Sequence, residues 1–343
     1  MKTHFRALCL AATAVLMLSS ASAALAQDKV RFTLTGTSML YSPVYVAEVM
    51  GYFGDEKITP EIFHFKAGGA AALAAVLGGN MEVYVGAASS ALRGSTKGAD
   101  ALLIAAMVTR YSIDIIERKS IATARGIGDA SSEIDRFKSL KGLKIGVSGA
   151  GSGTRQIAQY ALARAGLNSE RDATMVFLGD SGSTLAAFAA NRIDAATTSS
   201  PATEIAIRDH GAMLLVNGPG NGYSELDGFL YVGLIATKRW TDANPDLATR
   251  TVRSFLKAHQ AMHDPKLGPQ ARDLVHAKYF ESVDKAVFDA AWQRMLPGFA
   301  TDLTMKREQI ERVEKFLNEF SSEKMNADLD KVFTNRFVEA AAR

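Results

Sequence analysis

The sequence predicts an α/β protein of two lobes, each a mainly parallel sheet with helices on both faces, joined by a two-linker hinge. Three observations predict it. Val30–Ser90 and Leu143–Pro201 each run strand, small-residue loop, helix start three times over. Strands alternating with helices on short links build parallel sheets covered by helices. From Asn244 onward the chain reads as helices only. Two further passages, near Tyr111–Arg118 and Tyr223–Gly228, are placed to carry the chain between the halves. If the C-terminal helices pack on the first half, the second half is an insertion with two linkers. The expected lobes are then 27–113 with 226–343, and 114–225.

The elements follow in order. Val30–Thr35 alternates as a strand, and Pro43 opens a helix through Met50 that Gly51 stops. Proline suits a first helical turn, where its missing N–H costs nothing. Ile58–Phe65 is a second strand, Gly68-Gly69 opens an alanine-rich helix to Leu77, and Met81–Val85 is a third strand. Ala101–Val108 is an apolar strand, Ser112–Ile116 is extended, and the polar, glycine-containing stretch Thr123–Lys138 reads as a loop. The second set has strands at 143–147, 174–178 and 193–197, with Met213–Val216 as one more. Phe229–Ile235 is a last apolar run before helices at 244–262, 269–279, 284–294, 304–319 and 330–341.

The N-terminus reads as a secretory signal: Lys2, His4 and Arg6, an apolar run Ala7–Leu18, then Ala24-Leu25-Ala26 as a cleavage site. Residues 1–26 are therefore set aside, and an exported, periplasmic protein beginning near Gln27 is expected. The sole cysteine, Cys9, lies in that segment and has no lipoprotein box before it. The chain from Gln27 on thus has no disulfide, thiolate metal site or cysteine nucleophile. The whole chain has 39 Lys+Arg against 36 Asp+Glu, and without Lys2 and Arg6 the net charge is +1. Near neutrality gives no reason to expect nucleic acid as a partner.

Several segments, in this order, resemble the extracytoplasmic solute-binding proteins of ABC importers, in the nitrate, sulfonate, taurine and thiamine-pyrimidine-precursor group. They are Pro43–Phe53, Gly68–Val83, Leu140–Val147 with the loop after it, Leu185–Ala196, and Asn244-Pro245 before a long helix. Asp55–Ile58 departs from the family's usual glycine-leucine pair, which affects a turn only. The resemblance implies a type II-like periplasmic-binding-protein fold, a small-molecule solute, the transmembrane subunits of an ABC permease as partners, and a monomer.

In such sheets ligands bind at the carboxyl ends of strands. The loops there are Gly36–Ser42, Ala67–Ala70 and Gly86–Ser90 in the first half, and Ser148–Arg155, Gly179–Ser183 and Thr198–Pro201 in the second. Backbone N–H groups and small hydroxyls at helix starts suit an anionic or acceptor-rich solute. The candidate ligand residues are Ser38, Tyr41, Gly69, Ser89, Ser148, Gly151, Ser152, Gly153, Thr154, Arg155, Ser181 and Ser199. Arg155 either pairs with a bound anion or points to solvent, and a solvated face is expected for Glu204. Tyr111 and Tyr223 flank the hinge, where ligand stacking or packing would each account for them. On this reading a Ser152→Ala, Thr154→Ala double change weakens binding and leaves the empty protein's stability nearly unchanged.

Enzyme motifs are lacking. There is no G-x-S-x-G, H-E-x-x-H or P-loop, and Gly149-x-Gly151-x-Gly153 falls short of the dinucleotide spacing. His259 and His263 stand four apart on one helix but have no expected third ligand. No cofactor, metal or catalytic residue is expected. Few arginines can reach the site, which argues against a densely charged oxyanion. The expected solute is an organic molecule with one anionic head, such as a sulfonate or carboxylate. The alternatives are an uncharged heteroaromatic such as a thiamine pyrimidine precursor, or a ligand sensor in place of an import receptor.

Overall fold

The structure, a computed structural model, describes residues 27–65, 68–321 and 324–343. The signal-peptide reading and Ala67 lie outside the described residues. The chain begins with β1 (Asp28–Leu34), a 3-10 turn (Met39–Tyr41), α1 (Ser42–Val49), α2 (Tyr52–Asp55) and β2 (Ile58–His64). Then come α3 (Gly69–Leu77), β3 (Val83–Ala87), α4 (Ala88–Thr96) and β4 (Ala101–Val108). The second set is β5 (Asp114–Arg118), α5 (Lys119–Ala124), α6 (Glu133–Lys138), β6 (Lys144–Val147), α7 (Gly153–Arg164), β7 (Thr174–Phe177), α8 (Ser181–Ala189), β8 (Ala195–Thr198), α9 (Ala202–Asp209) and β9 (Ala212–Val216). After β10 (Val232–Thr237) the rest is helical: α10 (Lys238–Ala243), α11 (Pro245–His263), α12 (Leu267–Tyr279), α13 (Lys285–Met295), α14 (Arg307–Phe320), α15 (Leu329–Val332) and α16 (Arg336–Ala341).

Two five-stranded sheets result, in the orders β2-β1-β3-β10-β4 and β7-β6-β8-β5-β9. β1 runs parallel to β2 and β3, and β6 runs parallel to β7 and β8. β10 and β5 run antiparallel to both their neighbours. These two are the strands by which the chain enters a sheet after passing from the other, so the two connections between sheets are 109–113 and 217–231. All eight residues of β4 are buried. A strand covered on both faces needs such an unbroken apolar run.

The C-terminal helices do pack on the first sheet. Phe255 of α11 meets Phe32 of β1 and Phe53 of α2 at ring distances of 5.7 and 5.6 Å. The connections between sheets are packed by aromatics. Tyr111 contacts Tyr223 at 6.0 Å and Phe229 at 5.0 Å, and Phe316 of α14 lies against Phe229 and Tyr160 at 5.3 and 5.8 Å. The phenols of Tyr111 and Tyr223 donate to the carbonyls of Gly153 and Ile113, each at 2.7 Å. Both tyrosines therefore serve hinge packing.

The loop expected over Thr123–Lys138 is corrected: α5 reaches Ala124, and α6 forms from Glu133. Ser132 caps α6 by accepting from Asp135 N–H at 3.1 Å. Glu133 and Asp135 stand in its first turn and Arg136 and Lys138 in its last, each sign matching the nearby end of the helix dipole. Burial of Phe137 fixes the helix to the lobe. The expected C-terminal helix 330–341 is two short ones, α15 and α16.

Candidate functional site

A cavity lies between the two sheets at the helix starts. Ten of the twelve candidates line it: Ser38, Tyr41, Gly69, Ser148, Gly151, Ser152, Gly153, Thr154, Ser181 and Ser199. Both halves contribute, and the N-termini of α3 and α4 from one half face those of α7 and α8 from the other. Each brings the backbone N–H groups of its first turn and the positive end of a dipole. Among the described residues, no charged side chain lines the cavity.

The room for the centres of water-sized groups is about 50 Å³. One water needs roughly 10–15 Å³ of such room, so the cavity holds about three to five heavy atoms. Beside it runs a groove of about 510 Å³, lined by Ala70, Leu73, Ala74 and Leu77 of α3, by Arg93 and Lys97, and by Ala150, Arg155 and Gln159. It shares Ser90 and Gly151 with the cavity.

The halves touch directly through the cavity wall. Ser38 Oγ lies 2.7 Å from Ser199 Oγ, which lies 3.3 Å from Ser181 Oγ. Met39 N–H donates to Ser200 carbonyl at 3.0 Å. The hydroxyls of the 148–155 loop are mostly turned inward. Ser152 Oγ donates to Gly149 carbonyl at 2.8 Å and accepts from the N–H groups of Gly149 and Arg155, both at 3.2 Å. Thr154 Oγ1 accepts from Ser148 N–H at 2.8 Å. These bonds cap α7 and close the loop, so the double alanine change expected to spare stability removes structural bonds.

Ser89 and Arg155 stand outside the cavity. Ser89 Oγ accepts from Gln156 Nε2 at 3.2 Å, and its neighbour Ser90 takes the cavity position. Arg155 pairs with Glu170 at 2.9 Å and donates to Ala150 carbonyl at 3.1 Å. Glu204, expected on a solvated face, is held by Arg294. His259 is fully buried with Nδ1 2.6 Å from Ala300 carbonyl.

Sequence reasoning missed three lining residues that matter: Thr35, Tyr84 and Tyr231. A Cβ on Gly69 would lie 2.5 Å from the Tyr84 hydroxyl, and one on Gly153 would lie 2.5 Å from that of Tyr231. The glycines at the starts of α3 and α7 thus let two phenols lie against helix backbone. Burial raises the pKa of Tyr41, Tyr84 and Tyr231, outweighing the hydrogen bonds that lower it for the first two. All three stay protonated as donors. The available signal was Tyr84-Val85-Gly86, because residues two apart on a strand share a face. The ring folds over Gly86, whose added Cβ would meet it at 1.9 Å.

Two α/β lobes with a cavity between facing helix starts define the periplasmic-binding-protein fold. The profile of the family described as NMT1/THI5 like matches residues 39–266, and the chain belongs to that family. A search of curated proteins finds no match. A protein of solved structure from Bordetella bronchiseptica RB50 is 25% identical, with a TM-score of 0.79 over 92% of this chain and 96% of its own. The alkanesulfonate-binding protein SsuA from Xanthomonas axonopodis pv. citri, bound to MOPS, is 19% identical, with a TM-score of 0.66 over 86% and 92%. The periplasmic nitrate-binding protein NrtA from Synechocystis PCC 6803 is 13% identical, with a TM-score of 0.68 over 92% and 88%. The fold also occurs in the desulfurization enzyme DSZB, at 14% identity and a TM-score of 0.59 over 92% and 99%. At these last three identities the likeness is one of fold.

Proposed function

We propose that the chain is the solute receptor of an ABC importer, capturing a small organic solute with one anionic head between two closing lobes. The carrying observation is the cavity, where four helix N-termini from both lobes converge among hydroxyls and, among the described residues, no charged side chain stands in the lining. Helix starts and neutral donors hold a singly charged, acceptor-rich group without a counter-ion. A volume of about 50 Å³ suits a head of sulfonate or carboxylate size. The apolar wall of the adjoining groove accommodates the body of the solute.

The lobes in this reading are 27–113 with 226–343, and 114–225. The protein is exported, loses residues 1–26 and works as a monomer. It delivers its solute to the permease's transmembrane subunits and catalyses nothing. The absence of a cationic lining among the described residues and the presence of three phenols favour a second reading, an uncharged heteroaromatic, but such a ring outgrows the cavity. Melting the protein against sulfonates, carboxylates, nitrate and pyrimidines separates the two. An anionic solute that raises the melting temperature supports the first reading. A response to neutral heteroaromatics alone replaces it with the second, and no response to any solute counts against both.

A further inference from the structure

Arg294 lies in α13, outside the cavity, yet its side-chain partners among the described residues stand in the other lobe. Its Nη1 and Nη2 donate to Asp114 Oδ1 and Oδ2, both at 2.8 Å. Nη1 also donates to Asn217 Oδ1 at 2.9 Å, and Nη2 to Ser200 Oγ at 2.8 Å. Nε donates to Glu204 Oε1 at 2.9 Å, and Ser200 Oγ donates to that same oxygen at 2.9 Å. The Asp114 side chain is 0% exposed, and those of Glu204 and Arg294 are 15% and 19% exposed. Asp114 is further fixed by Thr203 Oγ1 at 2.7 Å and Gly218 N–H at 3.0 Å.

These partners fall in two places. Asp114 and Asn217 sit at the ends of the two connections between sheets. Ser200 and Glu204 sit beside the cavity wall, where Ser199 touches Ser38 and Ser200 carbonyl accepts from Met39. Burial opposes the charge of Arg294, but hydrogen bonding and attraction from Asp114, followed by Glu204, raise its pKa and keep it cationic. A planar guanidinium can serve both places at once, whereas an ammonium cannot fork between carboxylates in the same way.

We infer that Arg294 is a positioning residue that ties the hinge to the Ser199 wall, so that the C-terminal helices hold the lobes closed from outside the solute cavity. The inference rests on the reading of the chain as a closing receptor. Its test needs no solute, so its failure is distinguishable from failure of that reading. No cysteine occurs after Cys9, so residues 27–343 accept two labels cleanly. Asn80 and Arg192 are exposed, one in each lobe. Nitroxides at Asn80→Cys and Arg192→Cys report the interlobe distance by double electron–electron resonance.

The expected result is a dominant short-distance population in the parent, a shift of most of it to longer distances in Arg294→Gln, and a smaller shift in Glu204→Gln. Arg294→Lys restores part of the short population. Glu204→Gln keeps the Asp114 pair, so it carries the test if Arg294→Gln does not fold. Parent-like distances in Glu204→Gln and in every Arg294 variant that folds would overturn the inference.

Discussion

Ser152 shows how one hydroxyl serves two ends. It was legible as a helix-start serine facing a cleft, and it does line the cavity. Its hydrogen bonds to Gly149 and Arg155 were not legible, because the path of the loop decides them. Losing an N-cap typically costs about 1 kcal/mol. Chemical denaturation of the solute-free protein is expected to show that loss for Ser152→Ala. It should show roughly 2–3 kcal/mol for the double change with Thr154→Ala, since a part-buried Ser148 N–H then lacks its acceptor. His259 gives a second prediction at this scale. Burial is the chief cause that drives its pKa from 6.5 down to about 3. The folded state keeps the imidazole neutral while the unfolded chain protonates near pH 6.5. Its contribution is present above that pH and is lost as pH falls toward 3, by up to about 1.4 kcal/mol per unit. Denaturation curves across that window should flatten in His259→Gln; an unchanged slope would assign the acid sensitivity elsewhere.

The strand–loop–helix units were legible because apolar runs, glycines and prolines punctuate them locally. The directions of β5 and β10 were not, since an antiparallel strand entering from another lobe carries the same apolar signal as a parallel one. The short helices α5 and α6 were hidden by the polar look of 123–138, although Ser132 and the charges after it mark the start of α6. The decisive contact is the start of α7 against the residue just before β10, where Gly153 meets the Tyr231 phenol. An alanine there would have to displace that ring. Gly153→Ala is expected to keep its far-UV circular dichroism but lose at least half of the melting shift given by a bound solute. A full melting shift would show that the ring moves aside without disturbing the site.

Across the whole molecule, the two-lobe plan was legible in the order of elements and in the family-like segments from Pro43 to Pro245. The cavity's contents were only partly so. Loops at strand ends announced Ser38, Ser148 and Ser181, whereas Tyr84 comes from a strand and Tyr231 from the residue before one, and only the assembled sheet defines which way they face. Arg294 was beyond reach for the same reason, standing 180 residues from Asp114 in the chain. Lobe closure is the proposal that joins these parts. The wall contact of Ser38 with Ser199 spans the lobes, so Ser199→Ala should raise the radius of gyration of the solute-free protein in X-ray scattering. The central claim is that this cavity, uncharged among the described residues, captures a solute. Native mass spectrometry of residues 27–343, purified without denaturation and offered the solute panel, tests it most directly. The account predicts one small molecule bound per chain, released on unfolding and weakened by Ser38→Ala. A chain that stays at its bare mass with every solute offered would contradict it.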